Sequence, residues 1–242
     1  MKVIHIPEYK KNLLFFEKAG SSLMAGFFKS LLDWKGIDIV DSGPNNTTPP
    51  DGERILFVRN PMERLISVFY HLNIVMGDAD GMTSAYKMDK LCGFLDTYEE
   101  KCKTSTNTHL LPQTSDYYPQ PNDRIFKIED IRDGYYRLTD GYKPSSNLNF
   151  RTQNSFFNRE SYTKDFGVME WIGIPMDNKD QMFSVALYGF IMNKLNEGHH
   201  HNESHLMLGW LRMNNRGDVL NRLKRITKSE MELFGYSSKT II

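Results

Sequence analysis

Two short stretches of the chain place cationic and hydroxyl side chains, the types that can hold an anion, directly after apolar runs. The first is FFEKAGSSLMAGFF, residues 15–28, where Lys18, Ala19, Gly20, Ser21 and Ser22 lie between a strand-like run and an amphipathic helix. Gly20 permits a tight turn, so the N–H groups of residues 19–22 can converge at the positive end of the helix dipole. An anion fits there. Lys18 reaches over the same point and both serine hydroxyls add donors, with Ser21 or Ser22 as the natural N-cap. The plainer alternative is a capped strand-to-helix turn with a solvated lysine. The second stretch is ILFVRNPMERLISVFYH, residues 55–71, with Arg59 at the carboxyl end of a strand, Pro61 in the first helical turn, and Ser67 on that helix. A guanidinium fork and a hydroxyl suit a second anion, and ligands of open α/β sheets bind beyond the carboxyl ends of strands. Arg64 and His71 share a helical face with Ser67, and for these two a solvated polar face is the competing assignment.

The elements that must carry these side chains alternate between short apolar runs and helical patterns. Residues 12–16, 37–40, 54–58 and 124–128 read as strands. Helices are expected over 21–34 (stopping at Gly36), 61–76, 88–101, 180–196 and 218–234. Residues 41–53 read as a turn-rich loop. The expectation is a single α/β domain over 1–242, with a central, mostly parallel sheet flanked by helices.

Thirty basic residues balance thirty acidic ones in 242 residues, so no whole-protein field draws the chain to nucleic acid or an anionic membrane. Any anion must be held by a local site. The N-terminus MKVIHIPEYKK lacks the apolar core of a signal peptide and no apolar run approaches a membrane span, which reads as cytoplasmic. Cys92 and Cys102 are spaced too widely for a redox or zinc element and read as free thiols, with a disulfide as the alternative. No metal is expected: in HHHNESH, residues 199–205, three consecutive histidines point in different directions and lack a Cys or paired carboxylate. In the Walker pattern lysine follows the glycine, whereas here Lys18 precedes Gly20, which disfavours a nucleotide kinase of the P-loop class.

These residues resemble the sulfotransferases that use 3'-phosphoadenosine 5'-phosphosulfate (PAPS). KAGSS is similar to the 5'-phosphosulfate loop of that family, and RNPMERLISVFY to its 3'-phosphate segment. HLLPQ (109–113), IFKIEDI (125–131) and KSEMELFGYS (228–237) are similar to blocks of its carbohydrate branch, and HNES (201–204) more distantly so. The resemblance implies a P-loop-like sulfotransferase fold. It also implies that Lys18, Ala19, Gly20, Ser21 and Ser22 hold the 5'-phosphosulfate while Arg59 and Ser67 hold the 3'-phosphate. PAPS would be the co-substrate and a carbohydrate or other hydroxyl the acceptor. Sulfuryl transfer leaves charge on the bridging oxygen of the departing nucleotide, which Lys18 can stabilise.

A base must take the proton of the acceptor hydroxyl. Asp41 stands just after the second strand run, where many relatives place it, with Asp51 and Glu53 further along. His109, in the HLLPQ block, is the other candidate, against a purely structural role in ordering its loop. Period-two alternation aims Glu17 away from Lys18. A nucleotide- or glycan-binding module of the same fold, without turnover, is the alternative to an enzyme.

Overall fold

The computed structural model describes residues 1–42, 51–72, 84–104, 107, 109–115, 117–130, 169, 172–198 and 203–236. Their contacts group into two compact units, one of Met1–Phe16, Gly20–Val58 and Pro119–His199, the other of Glu17–Ala19, Arg59–Tyr118 and His200–Ile242.

The first unit is α/β. It holds β1 (Lys2–Ile6), β2 (Lys11–Phe15), α1 (Ser21–Trp34), β3 (Val40–Ser42), β4 (Glu53–Val58), β5 (Arg124–Lys127) and α4 (Asn178–Gly198). The strands form one five-stranded sheet in the order β3-β1-β2-β4-β5. β2, β4 and β5 run parallel, while β1 is antiparallel to both β2 and β3, so the sheet is mixed. β1 and β2 form a hairpin through a 3-10 turn at Pro7–Tyr9, closed by Lys10 in the left-handed region. The apolar run of residues 37–40 contributes only its last residue to β3. Its first residues instead stop α1: Gly36 has φ 67°, its N–H donates to Asp33 O at 2.9 Å, and the Ile37 N–H donates to Leu32 O at 2.9 Å. This paired closure consumes Ile37 before a strand can start. Phe57 centres the core, with its ring 4.9 Å from both Phe15 and Phe28 and 5.3 Å from Phe126, so α1 is seated on the parallel strands.

The second unit is helical among its described residues: α2 (Pro61–Tyr70), α3 (Ser84–Thr104), α5 (Glu203–Met213) and α6 (Gly217–Leu233). Asn60 caps α2, its side-chain oxygen accepting from the Met62 and Glu63 N–H groups at 2.9 and 3.4 Å, and Pro61 fills N1. Leu65, Ile66, Val68 and Phe69 bury against Leu91, Phe94, Leu208, Leu211 and Leu223. Helix α5 was not expected from the sequence, where polar residues 199–204 obscure the Leu208 and Leu211 stripe behind them. Cys92 and Cys102, both on α3, are free and half-buried. Among the described residues no helix is long and apolar enough to cross a membrane.

Candidate active site

Beyond β2 the backbone turns through two left-handed residues, Lys18 at φ 58° and Gly20 at φ 73°. Helix α1 then begins at Ser21, which makes Gly20 the N-cap, and no side chain caps the helix. The expected serine cap is therefore corrected: Ser21 and Ser22 occupy the first two helical positions, where N–H groups have no partner within the helix. The positive end of α1 thus carries no side-chain cap, the arrangement in which backbone N–H groups can receive an anion. Glycine is favoured at position 20, because the backbone is left-handed and a Cβ would lie 3.1 Å from Ile128 Cδ1, which would have to shift by a few tenths of an ångström. Gly20→Ala is expected to cost about 1–2 kcal/mol, a fall in Tm of roughly 2–8 °C; a melt at the wild-type temperature would remove the preference for glycine. Lys18 is half-buried. Burial pulls its pKa below 10.5, with the Glu17 carboxylate opposing the shift and the Arg64 guanidinium adding to it.

Arg59 follows the last residue of β4. Its Nη2 donates to Ser204 Oγ at 2.6 Å and lies 3.3 Å from Glu63 Oε2, and its side chain is 12% exposed. Every residue of α2 is buried except Ser67, which is half-buried on a helix otherwise committed to packing. The hydroxyl expected beside Arg59 is thus the one side chain of that helix left partly open.

Arg64 is not on a solvated face. It is 2% exposed, with Nε donating to Glu17 O at 3.1 Å and Nη2 to Leu111 O. One guanidinium thereby ties the Lys18 loop to the strap at residues 109–113. The strap is held elsewhere too: Tyr98 Oη and Cys102 Sγ donate to Leu110 O at 2.7 and 3.2 Å, and the Gln113 N–H donates to the Glu230 carboxylate.

His109 starts that strap. Its backbone N–H donates to Asn107 Oδ1 at 3.0 Å, its ring lies 4.6 Å edge-on from His71, and its Nδ1 stands 3.7 Å from Glu17 Oε2. Nδ1 is buried and has no hydrogen-bond partner among the described residues. Burial, first, and then the Lys18 ammonium hold the His109 pKa below 6.5, against the pull of Glu17. The imidazole is therefore kept neutral near pH 7. Glu17 comes beside it because β2 ends at Phe15, so strand alternation no longer governs position 17. His71, likewise, packs on His109 instead of standing on a purely solvated face.

Asp41 lies elsewhere, on edge strand β3 opposite Ile4 of β1, exposed and paired with Lys29 of α1. The structure thus brings Lys18, Glu17, Arg64 and His109 together, places Arg59 and Ser67 in the same unit, and puts Asp41 in the sheet unit. His199–His201 lie outside the described residues. Among the described residues no group of three or more His, Cys, Asp or Glu could hold a metal ion.

A family model described as Sulfotransferase family matches residues 41–237. This chain belongs to that family. No curated protein and no solved structure gives a match. Sulfotransferase membership supports sulfuryl transfer to a hydroxyl-bearing acceptor as the reaction class, and the α/β fold with its mixed sheet is consistent with it. The matched stretch contains Arg59, Ser67, His109 and Gln113, whereas the Lys18 loop precedes it. Within this sulfotransferase, Arg64, Glu17, Gln113, Ser204 and Glu230 surround the expected residues without having been assigned roles from the sequence. Gln113 lies within HLLPQ and Glu230 within KSEMELFGYS, so the signal is in motif blocks whose chemistry only the contacts reveal.

Proposed function

We propose that the protein transfers the sulfuryl group of PAPS to a hydroxyl, most suitably of a carbohydrate, with His109 as the base. The observation that carries this reading is the His109 cluster: a neutral-biased imidazole whose buried Nδ1 has no hydrogen-bond partner among the described residues, flanked by Glu17, the half-buried Lys18 and the buried Arg64. The carbohydrate acceptor rests on the resemblance of HLLPQ to that branch of the family, and a single sulfotransferase domain on the reach of the family match.

The residues present fit the donor. The uncapped first turn of α1 with Lys18, Ala19, Gly20, Ser21 and Ser22 receives the 5'-phosphosulfate, and Arg59 with Ser67 receives the 3'-phosphate. When bound, PAPS supplies an activated sulfuryl group on a phosphate leaving group. The Glu17 carboxylate, 3.7 Å from Nδ1, favours by its charge the tautomer protonated there, leaving Nε2 to accept the proton of the acceptor hydroxyl as its oxygen bonds to sulfur. Lys18 stabilises the charge that gathers on the phosphate oxygen as the old S–O bond breaks. Adenosine 3',5'-bisphosphate leaves.

The donor assignment is tested by calorimetry. The 3',5'-bisphosphate of adenosine is expected to bind clearly more tightly than the 5'-monophosphate. Arg59→Ala should erase most of the difference, a loss of about 1.5–3 kcal/mol for a charge-assisted contact. Equal affinities of the wild-type protein for the two nucleotides would sink the assignment.

A further inference from the structure

Arg59 stands where a strand gives way to a helix, and its peptide groups need partners that neither element supplies. Both are met by one side chain. Gln113 Oε1 accepts from the Arg59 N–H at 3.0 Å, and Gln113 Nε2 donates to the Arg59 carbonyl at 3.1 Å. Gln113 is 2% exposed, so neither bond competes with water. Its own N–H is fixed by the carboxylate of Glu230, 8% exposed on α6.

We propose that Gln113 is a positioning residue for donor recognition: its amide clasps the Arg59 peptide and so sets the direction from which the guanidinium meets the 3'-phosphate. This rests on the assignment of Arg59 to the 3'-phosphate. The chemistry demands glutamine. Glutamate accepts from the N–H but has no donor for the carbonyl, methionine of similar length offers neither, and asparagine is one methylene short. The guanidinium itself is held at Nη2 by Ser204 and Glu63, so backbone and side chain of Arg59 are both fixed. At the far end of the same strap sits His109, so the segment that aims the donor-binding arginine also carries the proposed base.

The test compares Gln113→Met and Gln113→Glu with the wild-type protein, measuring calorimetric affinities for adenosine 3',5'-bisphosphate and 5'-monophosphate alongside thermal melts. Gln113→Met is expected to cut the preference for the bisphosphate about tenfold, the effect of roughly one to two lost hydrogen bonds. Its affinity for the monophosphate should stay near wild type. Gln113→Glu, which keeps the acceptor, should fall between the two. A role confined to folding would lower the melt and weaken both nucleotides alike, which would overturn the proposal. An undiminished preference in folded Gln113→Met would overturn it as well. Should Gln113→Met fail to fold, the preference of Gln113→Glu decides by the same criterion. A wild-type protein with no preference at all would instead sink the Arg59 assignment, so the two failures are distinguishable.

Discussion

Lys18→Ala is expected to fold, to bind adenosine 3',5'-bisphosphate within a few-fold of wild type, and to transfer sulfate at least about 100-fold more slowly. The asymmetry follows from where the charge appears. In the bound donor the bridging oxygen carries little charge, and in the proposed site the N-terminal turn of α1, which no side chain caps, would hold the phosphosulfate together with the serine hydroxyls. During transfer that oxygen becomes the leaving anion, and the lysine interacts with it most strongly then. Burial amplifies the effect, since the same desolvation that lowers the Lys18 pKa strengthens its field on a nearby anion. Calorimetry, a thermal melt and a rate with radiolabelled PAPS measure the three quantities. A mutant transferring sulfate at the wild-type rate would contradict the role.

His109→Ala is expected to lower turnover by about 100-fold or more, with PAPS binding retained. Its pH signature is specific. Because burial and Lys18 depress the pKa of His109, the acid limb of kcat/KM in the wild-type protein should lie below 6.5 and vanish in the mutant. The same shift has a consequence for stability. The folded state prefers the neutral ring, so the unfolded chain takes up the proton first. The contribution of His109 is complete above 6.5 and is lost as pH falls through the folded pKa. Asp41→Asn is the companion measurement, and with its carboxylate paired to Lys29 it is expected to leave turnover within a few-fold of wild type. If Asp41→Asn abolishes turnover while His109→Ala remains active, the base is Asp41. A panel of glycans with radiolabelled PAPS supplies the acceptor these rates require.

Much of the frame was legible in the sequence because it rests on local periodicity. The apolar faces of α1 and α2 and the runs before Lys18 and Arg59 mark a strand followed by a turn and a helix, twice, and each turn carries a cation. Long-range pairing was less legible. Residues 37–40 read as a strand by composition, but the Gly36 stop of α1 claims Ile37, and only the tertiary chain path makes β1 antiparallel to its neighbours. Ser21 and Ser22 carry the chemistry of an N-cap, yet the left-handed Gly20 takes that position one residue earlier. At the site, the residue types of Lys18, Arg59, Ser67 and His109 could be read one by one. Arg64 could not, because a polar residue on a helix face is the same letter whether it meets water or two carbonyls in the interior.

That arginine also bears on how such a protein can change. A single planar group serves the carbonyl of Glu17 and the carbonyl of Leu111, so the loop that bears Lys18 and the strap that bears His109 share one anchor. Lysine cannot replace it, since a point charge cannot span two acceptors with fixed geometry. Selection that reshapes the strap for a new acceptor thus also displaces the lysine loop, and changes to the two are epistatic. New acceptors are then more readily reached through residues outside the strap, which leave the shared anchor untouched.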